Sequence, residues 1–221
     1  SNVSHELKTP MISVIGYMGM LLKEKAGSLT EQQKKFLEIS YKNLLKLGKN
    51  IDNLLDLAEL GIQKESWIFK PIDLVKIIEF SCSTIEPLAK EHQIQLEAQL
   101  PSEPVKISGV EDKLNQLFDN LFTNAIKYNR QGGKICVSLD QDSEFVFTRI
   151  TDTGVGISYQ SLKEVFTRHF QEKTKPLGNA KGLGIGLSLV QEIVKLHHGE
   201  IQIESELGKG TSFTVMLPKN H

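Results

Sequence analysis

Residues 111–128 combine an apolar helical face with side chains that suit phosphate and metal chemistry. Apolar residues recur there at spacings of three and four, which predicts a helix. Asn120, Asn124 and Lys127 are four and three residues apart, so they line one flank of that helix. Asparagine is a poor helix former, and the pair indicates either a solvated polar face or a functional site. In the functional interpretation, an amide oxygen binds Mg²⁺ and the lysine neutralises phosphate charge.

Two glycine-rich segments follow at separate points of the chain. "DTGVGIS" comes directly after a predicted strand, and "GKGLGIGLS" directly precedes a predicted helix. The second places Gly182, Gly184 and Gly186 where backbone N–H groups at a helix N-terminus can face an anion. Each segment taken alone is also explained as a turn of the chain. "GLGIGL" is not a dinucleotide fingerprint, because no strand–turn–helix unit with a downstream acidic residue surrounds it.

Asp152 and Thr211 add polar groups next to these turns. Asp152 ends a predicted strand, and its carboxylate could accept a hydrogen bond from an exocyclic amine such as that of adenine. The alternative is an aspartate that only forms a turn. Thr211 belongs to a third glycine-containing segment, "GKGTSF".

His5 lies in "SHELKTP", beside Glu6 and at the head of a predicted helix where no core requires a histidine. A solvated or capping histidine is the more common explanation of an isolated motif of this kind. The segment alone therefore leaves the role of His5 open.

The N-terminal quarter of the chain reads as two helices. Apolar residues at spacings of three and four predict the first over residues 4–24. Thr30 and Gln33 predict a capping box at the start of a second helix, which runs to about residue 60. Its apolar stripe is wider than one partner helix can cover. We therefore expect an antiparallel helical hairpin that dimerises into a four-helix bundle.

The rest of the chain interleaves strands and helices. Helices are predicted over residues 73–91, 111–128, 159–166 and 183–197, and strands at "WIFKPIDL", "IQLEAQL", "PVKISG", 133–139, 144–151, "EIQIES" and "TSFTVML". This order predicts an α/β sandwich with a mixed sheet and helices on one face. The fold class is therefore α+β overall, with domains at residues 1–62 and 63–221.

Composition and charge exclude several classes of protein. The 26 basic and 27 acidic side chains create no global field that would recruit nucleic acid or an anionic membrane. No apolar run approaches the ~18 residues typical of a membrane span. Cys82 and Cys136 match no metal spacing and are expected to be reduced thiols. We expect a cytoplasmic segment without membrane contact of its own, whether or not a longer protein is membrane-attached.

The order of the motifs is more informative than any one of them. The chain resembles the catalytic portion of a two-component sensor histidine kinase. "SHELKTP" is similar to the H box, "NLFTNAIKY" to the N box, "DTGVGI" to the first glycine box, "VFTRHF" to the F box, "GLGIGL" to the second glycine box and "GKGTSF" to the third. Six motifs in the family's order cover essentially the whole chain.

The resemblance implies ATP-dependent autophosphorylation, phosphotransfer to an aspartate of a response regulator, and dephosphorylation of that regulator. It implies that His5 accepts phosphate, that Glu6 orients or deprotonates the imidazole, and that Thr9 serves the phosphatase reaction. Asn124 would hold Mg²⁺. Nucleotide-binding positions are implied at Asn120, Asn124, Lys127, Tyr128, Asp152, Gly154, Gly156, Ile157, Arg168, Gly182, Leu183, Gly184, Gly186, Leu187 and Thr211. Tyr128 would pack on the nucleotide, and residues 167–181 would form a lid over it.

Three positions depart from the family pattern. The family often has an aromatic residue at His169, a basic residue at Gln171 and a threonine or serine at Leu183. We expect fewer groups to meet the transition-state charge here.

Two other functions are alternatives for a chain with this pattern of motifs. Hydrolytic relatives of the gyrase and chaperone type carry a glutamate base where Asn120 stands, and an amide cannot take a proton from water. A docking module without catalytic activity is the other alternative, which a nucleotide titration would separate.

Overall fold

The computed structural model describes residues 2–62, 67–168, 170 and 184–220. Of residues 2–5, 7, 8, 59, 61 and 62 it describes only the backbone. The chain folds as two compact units, Ser1–Glu59 and Leu60–His221. The domain boundary that we predict after residue 62 stays a prediction. Within the described residues, none of the helices is both long and apolar enough to span a membrane.

The first unit is a hairpin of α1 (Asn2–Leu22) and α2 (Glu31–Ile62). Met11 lies against Gly48, and Gly19 lies near Tyr41, so the two helices run antiparallel. The predicted capping box is present, because Gln33 N–H donates to Thr30 Oγ1 (3.2 Å) and Thr30 N–H donates to Gln33 Oε1 (2.9 Å). These two bonds fix the residue at which α2 begins.

Large apolar side chains remain exposed on both helices of the hairpin within the single chain. Ile12 and Tyr17 of α1 are 64% and 63% exposed, and Phe36 of α2 is 59% exposed. Several large apolar side chains exposed on one pair of helices are typical of an interface.

The second unit contains a five-stranded sheet and a separate two-stranded sheet. The helices and strands among its described residues are β1 (Lys70–Asp73), α3 (Leu74–Glu91), β2 (Gln95–Gln99), β3 (Lys106–Gly109), α4 (Glu111–Lys127), β4 (Lys134–Gln141), β5 (Phe145–Asp152), α5 (Tyr159–Leu162), α6 (Gly186–Leu196), β6 (Glu200–Glu206) and β7 (Gly210–Pro218). The strand order is β2-β4-β5-β7-β6, with β2 and β4 parallel and the other pairings antiparallel. The predicted α+β class with a mixed sheet is thus confirmed.

The core lies between one face of this sheet and helices α3, α4 and α6. Alternate residues of the central strands point into it, for example Val137, Ile150 and Val215. Phe118 and Phe122 of α4 are fully buried in the same core. Burial of each such side chain stabilises the fold by roughly 1.5–3 kcal/mol.

His197 anchors the N-terminal end of α4. His197 is 1% exposed, and its Nε2 accepts a hydrogen bond from Val110 N–H (3.0 Å), the N-cap of α4. Its Nδ1 lies 2.8 Å from the carbonyl oxygen of Ile193, so Nδ1 carries the proton and the imidazole is neutral. The ring therefore joins the end of α6 to the start of α4.

Candidate functional site

Three polar residues form a row across neighbouring strands at one end of the large sheet. Asp152 of β5 lies opposite Thr211 of β7, and Thr211 lies opposite Ser205 of β6. Strand alternation places Asp152 on the helix-covered face, in line with Ile150. The antiparallel pairing brings together two segments that are 59 residues apart in sequence.

The carboxylate of Asp152 is held on one side only. Its Oδ1 accepts hydrogen bonds from Gly154 N–H (2.8 Å) and Thr211 N–H (3.3 Å). Its Oδ2 has no hydrogen-bond partner among the described residues. Burial raises the pKa of Asp152 from 3.8 to about 6, and the two backbone donors oppose that rise. At neutral pH the site therefore presents a charged, buried acceptor.

The first glycine turn is fitted closely around this carboxylate. Gly154 has no room for a side chain, because a Cβ there would collide with the carbonyl oxygen of Tyr128 and with Asp152 Oδ1. That same carbonyl accepts a hydrogen bond from Val155 N–H (2.9 Å). The turn is thereby attached to the C-terminal end of α4.

The second half of the turn contacts the β6–β7 connection. Gly156 has φ +68°, and a Cβ on it would collide with the carbonyl oxygen of Glu206. The next residue, Ile157, donates its N–H to Ser205 Oγ (2.8 Å). A left-handed, crowded position of this kind requires glycine.

Sequence reasoning missed Ser205, which holds the first glycine turn, and Asn129, which fixes the loop after α4 that packs against that turn. Asn129 is 2% exposed; its Oδ1 accepts from Arg130 N–H (3.0 Å) and its Nδ2 donates to the carbonyl oxygen of Lys134 (3.2 Å). Ser205 stands in the apolar row of "EIQIES", where Ile201 and Ile203 precede it at alternate positions. A serine in an apolar row was the available signal.

On α4, the two asparagines have different environments. The Nδ2 of Asn120 donates to the carbonyl oxygen of Gln116 (2.7 Å), and its Oδ1 lies 3.0 Å from the Cβ position of Gly186. Asn120 therefore packs against the first turn of α6. Asn124 is half-buried, and its side-chain amide makes no hydrogen bond to any described residue.

A lysine and a tyrosine end α4 beside these asparagines. Lys127 Nζ donates to Tyr128 Oη (3.0 Å) and lies 4.6 Å from the centroid of the tyrosine ring. Both side chains are half-buried, so the ammonium group stays within reach of an anion near the C-terminus of α4.

The described residues of this site could bind Mg²⁺ only if phosphate oxygens of a bound ligand supply part of its coordination. The described part of the chain contains no group of three or more His, Cys, Asp or Glu residues that could hold a metal. Mg²⁺ commonly takes one or two protein oxygens and completes its octahedron with phosphate and water. The amide oxygen of Asn124 suits that role.

Helix α6 begins with amide groups that no described side chain caps. Gly184, with φ +70°, leads into it, followed by Gly186 and the half-buried Leu187. Such an N-terminus offers N–H donors to an anion. Arg168 is exposed after α5 and forms no ion pair or hydrogen bond with a described residue.

Several predicted positions cannot be compared with the structure. The side chain of His5 lies outside the described residues, as do Gly182, Leu183, His169, Gln171 and the segment 171–181 of the predicted lid. In α1 the side chains of Glu6 and Thr9 are exposed. Thr9 follows His5 by four residues, which places both on one helix face.

Two family models match this chain in the order that its motifs suggest. His Kinase A (phospho-acceptor) domain matches residues 1–61. Histidine kinase-, DNA gyrase B-, and HSP90-like ATPase matches residues 109–221, half of the chain. The chain belongs to the sensor histidine kinases of two-component systems. The row of Asp152, Thr211 and Ser205 therefore lies in the ATPase-type domain of a histidine kinase.

Individual relatives agree with that assignment. This histidine kinase chain is 34% identical over 223 residues to the sensor histidine kinase TmoS of Ectopseudomonas mendocina, covering 100% of this chain and 22% of TmoS. It is 30% identical to the circadian input-output histidine kinase CikA of Synechococcus elongatus, covering 99% of this chain and 29% of CikA. The chain thus spans less than a third of the length of either relative.

A solved structure shares the fold. Full-length ShkA in complex with AMPPNP matches with a TM-score of 0.81 at 23% identity, over 98% of this chain and 44% of ShkA. At this identity the likeness concerns the fold alone.

Proposed function

We propose that this chain binds ATP, transfers its γ-phosphoryl group to His5, and passes it to an aspartate of a response regulator. The observation that carries the proposal is the Asp152 carboxylate, with one oxygen fixed by two backbone donors and the other left as an acceptor. That arrangement fits the exocyclic amine of adenine. A cytoplasmic location, where ATP is available, belongs to the same proposal.

Different residues around Asp152 bind the base, the phosphates and the metal ion of the nucleotide. Asp152 accepts from the adenine amine, and Tyr128 packs beside the base. Lys127 and the uncapped N-terminus of α6 meet the phosphates, since both offer N–H donors to an anion. Arg168 contacts the γ-phosphate, and Asn124 contributes an oxygen ligand for Mg²⁺. Mg²⁺ bound with ATP would neutralise phosphate charge.

The transfer step needs a neutral imidazole on α1. A ring nitrogen of His5 attacks the γ-phosphorus, so that an N–P bond forms and the bond to the β-phosphate oxygen breaks, with ADP leaving. Glu6, the residue after His5, accepts or orients the proton on the other ring nitrogen. Both Glu6 and Thr9 are exposed, so a second domain can reach this helix face.

Asn120 favours transfer over hydrolysis. Its Nδ2 is committed to the carbonyl oxygen of Gln116, and its Oδ1 lies against α6. An amide in that position cannot accept a proton from an attacking water. In this proposal Asn120 supplies no general base at the position where the hydrolytic relatives carry a glutamate.

The proposal includes a parallel homodimer formed through the hairpin. The exposed apolar residues of α1 and α2 would be covered by a second copy, giving the four-helix bundle. Light scattering at tens of micromolar should give twice the monomer mass, and a monomer would contradict this part of the proposal.

Three variants test the chemistry with radiolabelled ATP and a regulator. His5→Gln should lose all phosphoryl uptake but keep nucleotide binding. Asn124→Ala should lose Mg²⁺-dependent transfer. Thr9→Ala should keep autophosphorylation and lose dephosphorylation of the regulator, because its hydroxyl can align a water without serving the attack on ATP.

Each variant has an outcome that contradicts its assigned role. Phosphoryl uptake by His5→Gln would move the acceptor to another residue. Full autophosphorylation by Asn124→Ala would move the metal ligand. A Thr9→Ala protein that dephosphorylates the regulator at the parent rate would remove the phosphatase assignment.

A further inference from the structure

Ser205 lies where three parts of the candidate nucleotide site meet. Its Oγ is 2.8 Å from Ile157 N, 2.9 Å from the carbonyl oxygen of Gly210 and 2.9 Å from Thr211 Oγ1. It therefore contacts the first glycine turn, the third glycine segment and the threonine beside Asp152. Ser205 lies outside all six of the sequence motifs.

The three contacts determine which way each proton points. A serine hydroxyl has one proton to donate and two lone pairs to accept with. The carbonyl oxygen of Gly210 can only accept, so the Ser205 proton goes there. The N–H of Ile157 can only donate, which uses one lone pair. The hydroxyl of Thr211 must then donate its proton to the remaining lone pair of Ser205.

This orientation leaves the Thr211 hydroxyl with lone pairs only for any ligand. Thr211 and Asp152 are paired across β7 and β5, and the free oxygen of Asp152 is also an acceptor. Acceptors on both residues suit a purine that carries an amino group at position 6. At position 6, a 6-oxo purine would place an acceptor opposite the Asp152 carboxylate and the Thr211 lone pairs. Its N1–H donor is a second difference, which is the same for the parent and for every variant.

We propose that Ser205 is a positioning residue that sets base selectivity by holding the Thr211 hydroxyl as an acceptor, so that a 6-amino purine is favoured over a 6-oxo purine. This inference rests on the proposed function, in which the site binds a purine nucleotide. Ser205 itself acts through Thr211 and the two turns, and touches no ligand.

The test compares ADP with IDP, which differ in the group at position 6 of the base and in the proton that the 6-oxo base carries on N1. Calorimetry on the whole chain should show that the parent prefers ADP. In Ser205→Ala the Thr211 proton is released from its partner and can turn toward the 6-oxo group. The ratio of ADP affinity to IDP affinity should then fall about five- to tenfold, as expected for one uncharged hydrogen bond.

Ser212→Ala is the matched control for this substitution. Ser212 is the neighbour of Thr211 on β7, and its hydroxyl pairs with Thr151 Oγ1 (2.9 Å) rather than with Ser205. The control should keep the parent's ratio of affinities. If Ser205→Ala does not fold, Ser205→Cys makes the same comparison, because a thiol is a weak donor and a weak acceptor.

The outcomes separate this inference from the proposed function. An equal loss of ADP and IDP affinity, or an unchanged ratio, overturns the role of Ser205 in selectivity. A parent protein that binds neither nucleotide overturns the proposed function instead. A lower ratio in Ser205→Ala with a preserved ratio in Ser212→Ala supports the inference.

Discussion

Nucleotide affinity should depend on pH through Asp152. The pKa of this carboxyl is about 6 in the folded chain, because burial disfavours its charged form more than two backbone N–H groups favour it. In the proposed site the adenine amine donates to this carboxyl, and the ionised form is a much stronger acceptor than the protonated form. Between pH 7.5 and pH 5.0 the ionised fraction falls about tenfold, and the affinity for ADP should fall by the same factor.

Asp152→Asn separates this effect from titration of the nucleotide phosphates. The variant keeps the shape of the site but cannot ionise, so it should show only the weaker pH dependence of the phosphates. Its affinity at pH 7.5 should be ~10- to 100-fold below the parent's, the usual loss for a hydrogen bond to a charged group. If the NH₂ group of the asparagine replaces Oδ1, it faces the N–H donors of Gly154 and Thr211. If it replaces Oδ2, it faces the adenine amine, which is also a donor.

Calorimetry with ADP at five pH values would measure both proteins. We expect the parent's curve to bend near pH 6 and the variant's curve to lack that bend. Parallel curves for parent and Asp152→Asn would refute the assignment of this carboxylate to the base. So would a parent affinity that stays constant down to pH 5.

Three stability predictions follow from the same structure. Asp152→Asn should stabilise the nucleotide-free protein at pH 7.5 by up to ~3 kcal/mol, because the pKa of Asp152 is about 6 in the folded chain against 3.8 when unfolded, which makes the ionised carboxylate costly. The gain is complete above pH 6 and disappears as the pH falls toward 3.8. Urea unfolding at several pH values measures it. Gly154→Ala should lower the free energy of unfolding by about 1–3 kcal/mol, because its Cβ would collide with the carbonyl oxygen of Tyr128. Gly208→Ala is the control: with φ +82° and open space around it, it should lose only about 1 kcal/mol to backbone strain. Equal losses in thermal unfolding would contradict the crowding at Gly154. His198→Gly should stabilise the folded protein by roughly 0.5–1 kcal/mol, because His198 has φ +53° at the left-handed position after α6. His198→Asn should give a smaller gain in stability. A lower melting temperature in the glycine variant would show that the contacts of the histidine side chain outweigh its backbone strain.

Local signals predicted much of the fold. The capping box at Thr30 and Gln33 determined where α2 begins, because both of its hydrogen bonds form between residues three apart. The strand "EIQIES" alternates in sequence, and β6 has the expected alternation of exposed and half-buried residues. Short-range geometry of this kind can be read directly from residue types.

Long-range pairing was outside the reach of the sequence. "WIFKPIDL" became the four-residue β1, which pairs with β3 in a separate sheet, because its partner strand lies more than 30 residues away. The predicted helix over 159–166 is regular only over Tyr159–Leu162. The role of His197 could not be read from the sequence, because its partner, Val110, is 87 residues away.

The candidate site divides in the same manner. Asp152 and Thr211 stand in recognisable motifs, so their types and order could be read. The bond from Thr211 N–H to Asp152, the proton arrangement at Ser205 and the buried Asn129 depend on which strands pair, and no single motif contains them.

The most direct test of the account identifies the phosphorylated residue. After incubation of the dimeric protein with ATP and Mg²⁺, intact mass and peptide mapping under alkaline conditions should show one phosphoryl group on the peptide that contains His5. The modification should be lost in acid, as expected for an N–P bond, and absent from His5→Gln. An acid-stable phosphoryl group on another residue, or none on the parent while ADP binds normally, would contradict the proposal that this chain is an autokinase.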